Sequence, residues 1–224
     1  MVMSQDNKTD SNANKGVRDR LLDAAEELFC EHGFEGTSIR DIAAIAKCNI
    51  ASVNYYFGGK EKLYEEVWRR HLIPMRDARI VSVNKVMSQS DGKPQLEELL
   101  KAFADAFIGP MVDDNKSRQL GILMAREWID RRLPANMFLD DVIRPTITAM
   151  SKALVKACPG LDESKVPLVV LSIAGQLVQL AHIKTMFEQV SDSGLPIFNL
   201  AEAIDHVVTF SAAGIQAYAE DKSE

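Results

Sequence analysis

The sequence predicts an all-α fold, and three observations support this prediction. Apolar residues recur at a spacing of about 3.6 from Val17 to Tyr218, which is the period of an amphipathic helix. Alternating apolar and polar runs rich in β-branched residues, which are typical of strands, are missing. Prolines at sites such as Pro74 and Pro94 suit the first turn of a helix, where proline is tolerated.

The first part of the chain, residues 17–73, is predicted to form a small domain of short helices. Its first helix should end at Gly33, because glycine commonly follows the last turn of a helix. Thr37 or Ser38 can cap a second helix, and only two residues separate its end from Asn49, another good N-cap. Two helices joined so tightly indicate a helix-turn-helix. The inward face of the first helix carries Leu21, Leu22, Ala25, Leu28 and Phe29, and that of the second carries Ile39, Ile42, Ala43 and Ala46.

A third short helix is predicted to end near Phe57, before Gly58 and Gly59, and a fourth should run from Lys60 to about His71. A larger helical domain is expected over residues 74–220, and residues 1–16 are expected to form a disordered polar tail. The helices of the larger domain are predicted at about 74–89, 94–108, 116–132, 136–158, 164–190 and 198–219, with a bend or break at Pro145.

Composition limits the classes of function. The three cysteines, Cys30, Cys48 and Cys158, show no ligand spacing, and together with the absence of a signal-peptide pattern they favour a cytoplasmic protein. The apolar stretch 166–187 contains polar residues near its centre, so we interpret it as a buried helix and expect no membrane contact. No metal or other cofactor is expected, because the four histidines are scattered. The net charge of −6 disfavours DNA binding, yet residues 36–62 carry four basic residues against two acidic ones.

The third helix has the composition of a recognition helix. Val53 and Phe57 share one face, while small, amide and tyrosine side chains occupy the other, as expected of a helix that enters a major groove. Ile50 is left open between a core position and a contact with a thymine methyl group. The candidate DNA-binding residues are Thr37, Arg40, Asn49, Ala51, Ser52, Asn54, Tyr55, Tyr56 and Lys60.

Individual roles follow from side-chain chemistry. Asn54 suits an adenine edge, Ser52 and Tyr56 suit phosphates, and Tyr55 suits a thymine methyl or the DNA backbone. Lys60 lies in the first turn of the next helix, where backbone N–H groups already favour an anion.

At this point the sequence resembles a known family. The runs Thr37-Ser-Ile-Arg-Asp-Ile-Ala43 and Asn49-Ile-Ala-Ser-Val-Asn-Tyr-Tyr-Phe-Gly-Gly-Lys-Glu-Lys-Leu63 resemble the DNA-binding domain of TetR-type regulators, over about residues 17–68. Arg126-Glu127 and Arg144-Pro145 resemble the CecR-like branch. The resemblance implies a homodimer, a palindromic double-stranded DNA operator and repression relieved by a small-molecule effector. Lys47 and Cys48 replace the usual Gly and Val of the family, so we expect the turn to avoid a strained backbone at Lys47.

The larger domain offers candidates for effector binding and dimerisation. The candidate ligand-binding residues are Phe103, Phe107, Met124, Trp128 and His182, although side chains of these types at helical spacing more often form core. Arg126 and Glu127 are left open between a ligand-orienting role, a structural ion pair and a solvent-facing position. The last two long helices are predicted to form the dimer interface through Val169, Val170, Ile173, Leu177, Leu180, Ile183, Val207, Val208, Phe210 and Ile215.

Three alternatives to a repressor remain at this stage. An activator or dual regulator would use the same fold. An all-α enzyme would need Arg126, Glu127 and His182 around a cavity, but the sequence has neither a nucleophile–base motif nor a glycine-rich phosphate loop, so no catalytic residue is predicted. A helical carrier of an apolar ligand would leave the N-terminal motif unexplained.

Overall fold

The computed structural model describes residues 16–112, 117–189 and 199–220. The described residues form helices and connecting turns, with no strand, so the predicted all-α fold is confirmed. Internal contacts divide the chain into two units, Met1–His71 with Gln119–Leu133, and Leu72–Arg118 with Pro134–Glu224. Apart from Gly16, the predicted disordered tail lies outside the described residues.

The first unit is built from short helices and one segment from later in the chain. Its helices are α1 (Val17–His32), α2 (Ile39–Ile45), α3 (Ala51–Phe57), the first part of α4 (Lys60–Gln89), and α6 (Ser117–Asp130) from residue 119 onward. Burial of the apolar faces of α1 to α4 is the main favourable contribution to the stability of this unit. Its core includes Leu21, Ala25, Phe29, Ile42, Val53, Leu63 and Val67.

Helix α4 is longer than predicted. Two helices were expected on either side of Pro74, but one helix runs continuously from Lys60 to Gln89 with Pro74 inside it. Proline removes one backbone hydrogen bond and disfavours helical backbone before it. Buried residues on both sides of Pro74, at Leu72 and Met75, anchor the helix and outweigh this local preference. His71, after which the chain leaves the first unit, therefore lies in the middle of a helix.

The second unit contains the remaining helices. They are the second part of α4, α5 (Leu96–Val112), α7 (Ala135–Phe138), α8 (Arg144–Ala157), α9 (Val166–Gln189) and α10 (Leu200–Glu220). Helices α5, α9 and α10 pack against one another, and α8 packs against α5 and α9. The core between them includes Leu99, Phe103, Met150, Leu154, Val170, Ile173, Leu177, Val207 and Ile215.

The predicted interruption before Pro145 takes the form of a π-helical turn. Residues Leu139–Ile143 have this wider geometry between α7 and α8, and Pro145 then lies in the first turn of α8, where its missing N–H is tolerated. A 3₁₀ turn, Glu163–Lys165, similarly precedes α9.

The apolar helix α9 has two different faces. Among the described residues, Glu163–Lys184 is the one stretch long and apolar enough to cross a membrane by length and composition. Val166, Ile173 and Leu177 on one face lie in the core of the second unit. Leu168 and Leu171 on the other face are exposed. The prediction of a buried helix thus describes one side of α9.

Candidate nucleic-acid interface

The start of α2 is fixed by two hydroxyl groups with different roles. Ser38 is the N-cap, and its Oγ accepts a hydrogen bond of 3.2 Å from the backbone N–H of Asp41. Thr37 is 1% exposed, and its hydroxyl is hydrogen bonded to the carbonyl oxygens of Leu28 at 3.0 Å and Gly33 at 2.7 Å. The prediction that Thr37 contacts a DNA phosphate is therefore wrong, since its hydroxyl is buried and joins the end of α1 to the start of α2.

The turn between α2 and α3 contains a strained residue. Lys47 has φ 51°, in the left-handed region, so the expectation of an unstrained backbone there is wrong. The N–H of Cys48 donates to the carbonyl of Ala43 at 3.0 Å, and the N–H of Lys47 donates to that of Ala44 at 3.2 Å. This pair of bonds is a Schellman motif, which normally has glycine at the position of Lys47. The chain tolerates the strain because the motif satisfies the last carbonyls of α2.

Helix α3 presents a polar face to solvent. Its first turn is capped by Asn49, whose Oδ1 accepts from the N–H of Ala51 at 2.8 Å, and it ends at Gly58 with φ 79°. Val53 and Phe57 are buried, as predicted, and hold the helix on the first unit. Exposed or partly exposed on the other side are Ala51, Ser52, Asn54, Tyr55 and Tyr56.

The two tyrosines differ in exposure. Tyr55 is 83% exposed and Tyr56 is 42% exposed. Their rings meet edge-on, with 5.0 Å between centroids. Ile50, just before the helix, is 51% exposed, so the alternative of a core position is excluded. These side chains form a contiguous surface at the position expected for a recognition helix.

The basic candidates have different local partners. Arg40 is exposed on the first turn of α2. Lys60 is half-buried, and its Nζ lies 4.2 Å from the centroid of the Phe34 ring, within the range of a cation–π interaction. Lys60 therefore has an intramolecular contact at the start of α4, the place where a DNA phosphate was expected.

Ion pairs connect α1 to the first part of α4. Arg18 lies 2.6 Å from Glu66, and Arg70 lies 2.6 Å from Asp23. The buried Glu26 pairs with His71, with 2.9 Å between Oε1 and Nε2. His71 is thereby a structural residue of the helix that supports the helix-turn-helix.

The structure resolves the open role of Arg126. Its Nε donates to the carbonyl of Cys30 at 3.2 Å and its Nη2 donates to the carbonyl of Glu31 at 2.9 Å, which are acceptors at the C-terminal end of α1. Its Nη1 lies 2.8 Å from the place that a Cβ on Gly33 would occupy, and Gly33 has φ 72°. A positive side chain at a helix C-terminus is favoured by the helix dipole. Arg126 is therefore a structural residue within the first unit.

Glu127 has a matching structural role. Its Oε2 accepts a hydrogen bond of 3.0 Å from the hydroxyl of Tyr64, and its Oε1 accepts one of 2.7 Å from the N–H of Leu133. Burial raises the pKa of Tyr64 well above its usual range, and Glu127 adds to the effect, so the phenol stays a donor. The ring of Tyr64 also meets those of Phe29 and Phe34 edge-on.

The candidate ligand-binding residues do not lie in one unit. Phe103 and Phe107 are buried in the second unit, with 5.8 Å between ring centroids. Met124 is half-buried and Trp128 is 71% exposed, and both belong to the first unit. His182 is exposed on α9. The side chains of Trp128 and His182 thus face solvent. Ligand binding by the five residues stays a prediction.

One buried charge went unnoticed in the sequence. Arg79, on the second part of α4, is 6% exposed, and its guanidinium carbon lies 3.7 Å from the centroid of the Phe107 ring. Within the described part of the chain there is no group of three or more His, Cys, Asp or Glu side chains that could hold a metal ion.

Comparison with known families gives two matches in separate parts of the chain. Residues 21–67 match the family of bacterial regulatory proteins, tetR family. Residues 96–215, more than half of the chain, match the C-terminal domain of the HTH-type transcriptional dual regulator CecR. The first match covers the helix-turn-helix described above, and the second lies over α5 to α10.

Relatives with sequence similarity share the N-terminal part. The chain is 44% identical over 51 residues to the probable HTH-type transcriptional regulator YttP of Bacillus subtilis, covering 23% of this chain and 25% of the relative. It is 45% identical over 51 residues to the HTH-type transcriptional repressor NicS of Pseudomonas putida, covering 23% and 24%. The matched segments thus span about a quarter of the length of these relatives.

Solved structures extend the likeness in fold over almost the whole chain. A TetR family transcription regulator from Marinobacter aquaeolei has a TM-score of 0.62 at 18% identity, covering 93% of this chain and 97% of that one. A putative tetR family regulator from Shewanella sp. PV-4 has a TM-score of 0.60 at 15% identity, covering 91% and 97%. The matched families and relatives are transcriptional regulators rather than enzymes. The chain therefore belongs to the tetR family of bacterial regulatory proteins, with a C-terminal domain of the CecR type.

Proposed function

We propose that this regulator is a cytoplasmic homodimeric repressor that binds a palindromic operator and is released from it by a small-molecule effector. The observation that carries the proposal is the exposed polar face of α3, which a capped and tightly turned helix-turn-helix presents to solvent. A dimer would place two such helices one DNA turn apart on the two halves of a palindrome.

DNA recognition is assigned to residues according to their exposure and chemistry. Asn54 and Tyr55, on the exposed face of α3, read base edges, and Ser52 and Tyr56 contact phosphates. Arg40 and Lys60 contribute positive charge at the first turns of α2 and α4. The buried Thr37 takes no part.

The DNA-binding proposal is tested with DNA from upstream of the protein's own gene. Tyr55→Ala and Asn54→Ala should weaken specific binding more than nonspecific binding, whereas Lys60→Ala should weaken both and reduce the salt dependence by about one phosphate contact. Fluorescence anisotropy over a salt series measures both quantities. Asn84→Ala and Lys85→Ala, at exposed positions of α4 in the second unit, are matched controls. Equal losses in Tyr55→Ala and Lys60→Ala would contradict these roles.

Dimerisation is assigned to an exposed apolar surface on α9 and α10, here called the dimer face. It consists of Leu168, Leu171, Phe210 and Tyr218, all large and exposed. Most of the residues named from the sequence, such as Ile173 and Leu177, are instead buried in the protomer's own core. Exposed apolar patches on paired helices are typical of helical-bundle interfaces.

Release by an effector is assigned to the continuity of α4. This helix carries Lys60 at its start in the first unit and continues into the second unit, where Val83 and Val86 join the core. A ligand that favours one placement of its second part would therefore change the position of the recognition helices. Coupling is reciprocal, so saturating operator DNA must lower effector affinity by the same factor. Calorimetry that found equal affinity with and without operator would contradict the proposal.

The second candidate function is that of a dual regulator. The family that matches residues 96–215 is named after the C-terminal domain of the transcriptional dual regulator CecR. In-vitro transcription from the operator-bearing promoter separates the two. A repressor lowers transcript from the bound promoter, whereas a dual regulator also raises transcript from another promoter that it binds.

A further inference from the structure

Arg79 occupies a core position of α4. The buried residues of the second part of this helix, Leu72, Met75, Arg79, Val83 and Val86, recur at intervals of three and four, which is the spacing of one helix face. Four of the five are apolar. Arg79 is therefore a charged residue on the stripe that packs into the second unit.

Among the described residues, the guanidinium of Arg79 has an aromatic contact but no counter-ion. It lies over the face of Phe107, whose ring in turn contacts that of Phe103. Nε is buried and has no hydrogen-bond partner, and no carboxylate among the described residues forms an ion pair with Arg79. The ring face attracts the positive charge, but it offers no oxygen or nitrogen acceptor for hydrogen bonds from the five guanidinium N–H groups.

Leaving this charge without a partner is costly. Buried charges in folded proteins are normally paired with a group of opposite charge. Burial lowers the pKa of Arg79 to about 10, so the side chain is still positively charged at neutral pH. The complement that the position lacks is an anion with two acceptor oxygens in a plane, which is the geometry of a carboxylate.

We propose that the effector is a small organic acid whose carboxylate pairs with Arg79 and whose apolar or aromatic body packs beside Phe107. The inference rests on the proposed effector-controlled function and adds the chemical class of the effector to it. A single buried cation neutralises a single negative charge, so a monoanion fits better than a phosphate ester with two charges.

The test compares acids with their uncharged amides on the full chain without DNA. The probe pairs are benzoate and benzamide, 1-naphthoate and 1-naphthamide, and decanoate and decanamide, each titrated by calorimetry and by saturation-transfer NMR. At least one acid should bind at least about tenfold more tightly than its amide, because a site with an unpaired charge rejects the neutral analogue. Arg79→Met should abolish that preference. Arg79→Lys should retain part of it, because it keeps the charge without the paired donors.

A matched control and a stability measurement complete the test. Lys85→Met, which removes an exposed charge from the same helix, should leave the acid preference unchanged. Without ligand, Arg79→Met should melt at the same or a higher temperature than the wild type, since it replaces an unpaired buried charge with an apolar side chain of similar length. A markedly lower melting temperature would show that contacts within the chain already stabilise the buried charge, and it would overturn the proposal. So would the absence of acid binding, or acid binding that survives Arg79→Met.

Failure of this inference is distinguishable from failure of the proposed function. Operator binding by the ligand-free protein tests the repressor proposal and does not involve Arg79. Release from the operator by a neutral compound, with acids and amides bound equally, would retain the repressor and overturn the organic-acid effector. Acid binding that depends on Arg79, without any operator binding, would retain the organic-acid site and overturn the repressor.

Discussion

Lys47 shows how a single residue can be suboptimal for stability within a well-formed motif. At φ 51°, a residue with a side chain is about 1–2 kcal/mol less stable than glycine. Replacing Lys47 with glycine regains only part of this, because glycine also makes the unfolded chain more flexible. Lys47→Gly is therefore expected to raise the free energy of unfolding by about 1 kcal/mol, as measured by urea denaturation. Lys85→Gly, at an exposed position within α4, should lower it by about the same amount. A destabilised Lys47→Gly variant would contradict the assigned turn geometry.

Cys30 illustrates the effect of burial on a thiol. Burial, with Glu26 adding to it, raises the pKa of Cys30 to about 11, from an ordinary value of about 9. Because the folded state favours the neutral thiol, its contribution to stability is complete below about pH 9 and is lost as the pH rises towards 11. Iodoacetamide labelling at pH 8, followed by mass spectrometry, should modify the half-exposed Cys48 and Cys158 well before Cys30. Fast labelling of Cys30 in a Cys48→Ser, Cys158→Ser variant would contradict this.

At the scale of the element, α6 completes the end of α1. Arg126→Met removes two hydrogen bonds from a charged donor to the carbonyls of Cys30 and Glu31. The free energy of unfolding should fall by about 1–3 kcal/mol, because those acceptors lose a charged partner at a helix C-terminus. Arg131→Met, at an exposed position just after α6, should change it by less than about 0.5 kcal/mol. Similar values for the two variants would contradict the structural role of Arg126.

At the scale of the whole molecule, the dimer face can be tested without disturbing the protomer core. Phe210→Glu places a charge on the dimer face and should give monomers with much weaker operator binding, because two half-sites no longer engage together. Val81→Glu is a matched control, since Val81 and Phe210 are both 65% exposed. Light scattering measures the mass of each variant. A Phe210→Glu variant that remained dimeric would contradict the assignment.

The parts predicted correctly were those encoded locally. The helix-turn-helix follows from caps and periodicity within about twenty residues, and the burial of Val53 and Phe57 follows from the period of a helix. Arg79 could have been found in the same way, because it occupies an apolar stripe. Its charge instead predicts an exposed position, because arginine is rarely buried without a partner.

The parts predicted wrongly depend on contacts between distant residues. Thr37 was assigned to DNA because its burial depends on carbonyls of α1 that local patterns do not reveal. Proline's strong local preference predicts a helix start at Pro74, whereas core packing on both sides of it decides the outcome. Arg126 contacts Cys30 across 96 residues of sequence, a pairing that no local spacing indicates.

The position of residues 119–133 within the first unit has a consequence for modularity. The chain leaves that unit after His71, returns to it at Gln119 and leaves again after Leu133. Recombination between the genes of two regulators at a single junction near residue 73 would transfer the helix-turn-helix alone. It would leave behind Arg126 and Glu127, which hydrogen bond to Cys30, Glu31 and Tyr64 of the first unit. Chimeras should therefore gain stability when residues 119–133 travel with the N-terminal part. Evolution of a new operator preference is accordingly simpler by substitution on the exposed face of α3 than by exchange of whole domains.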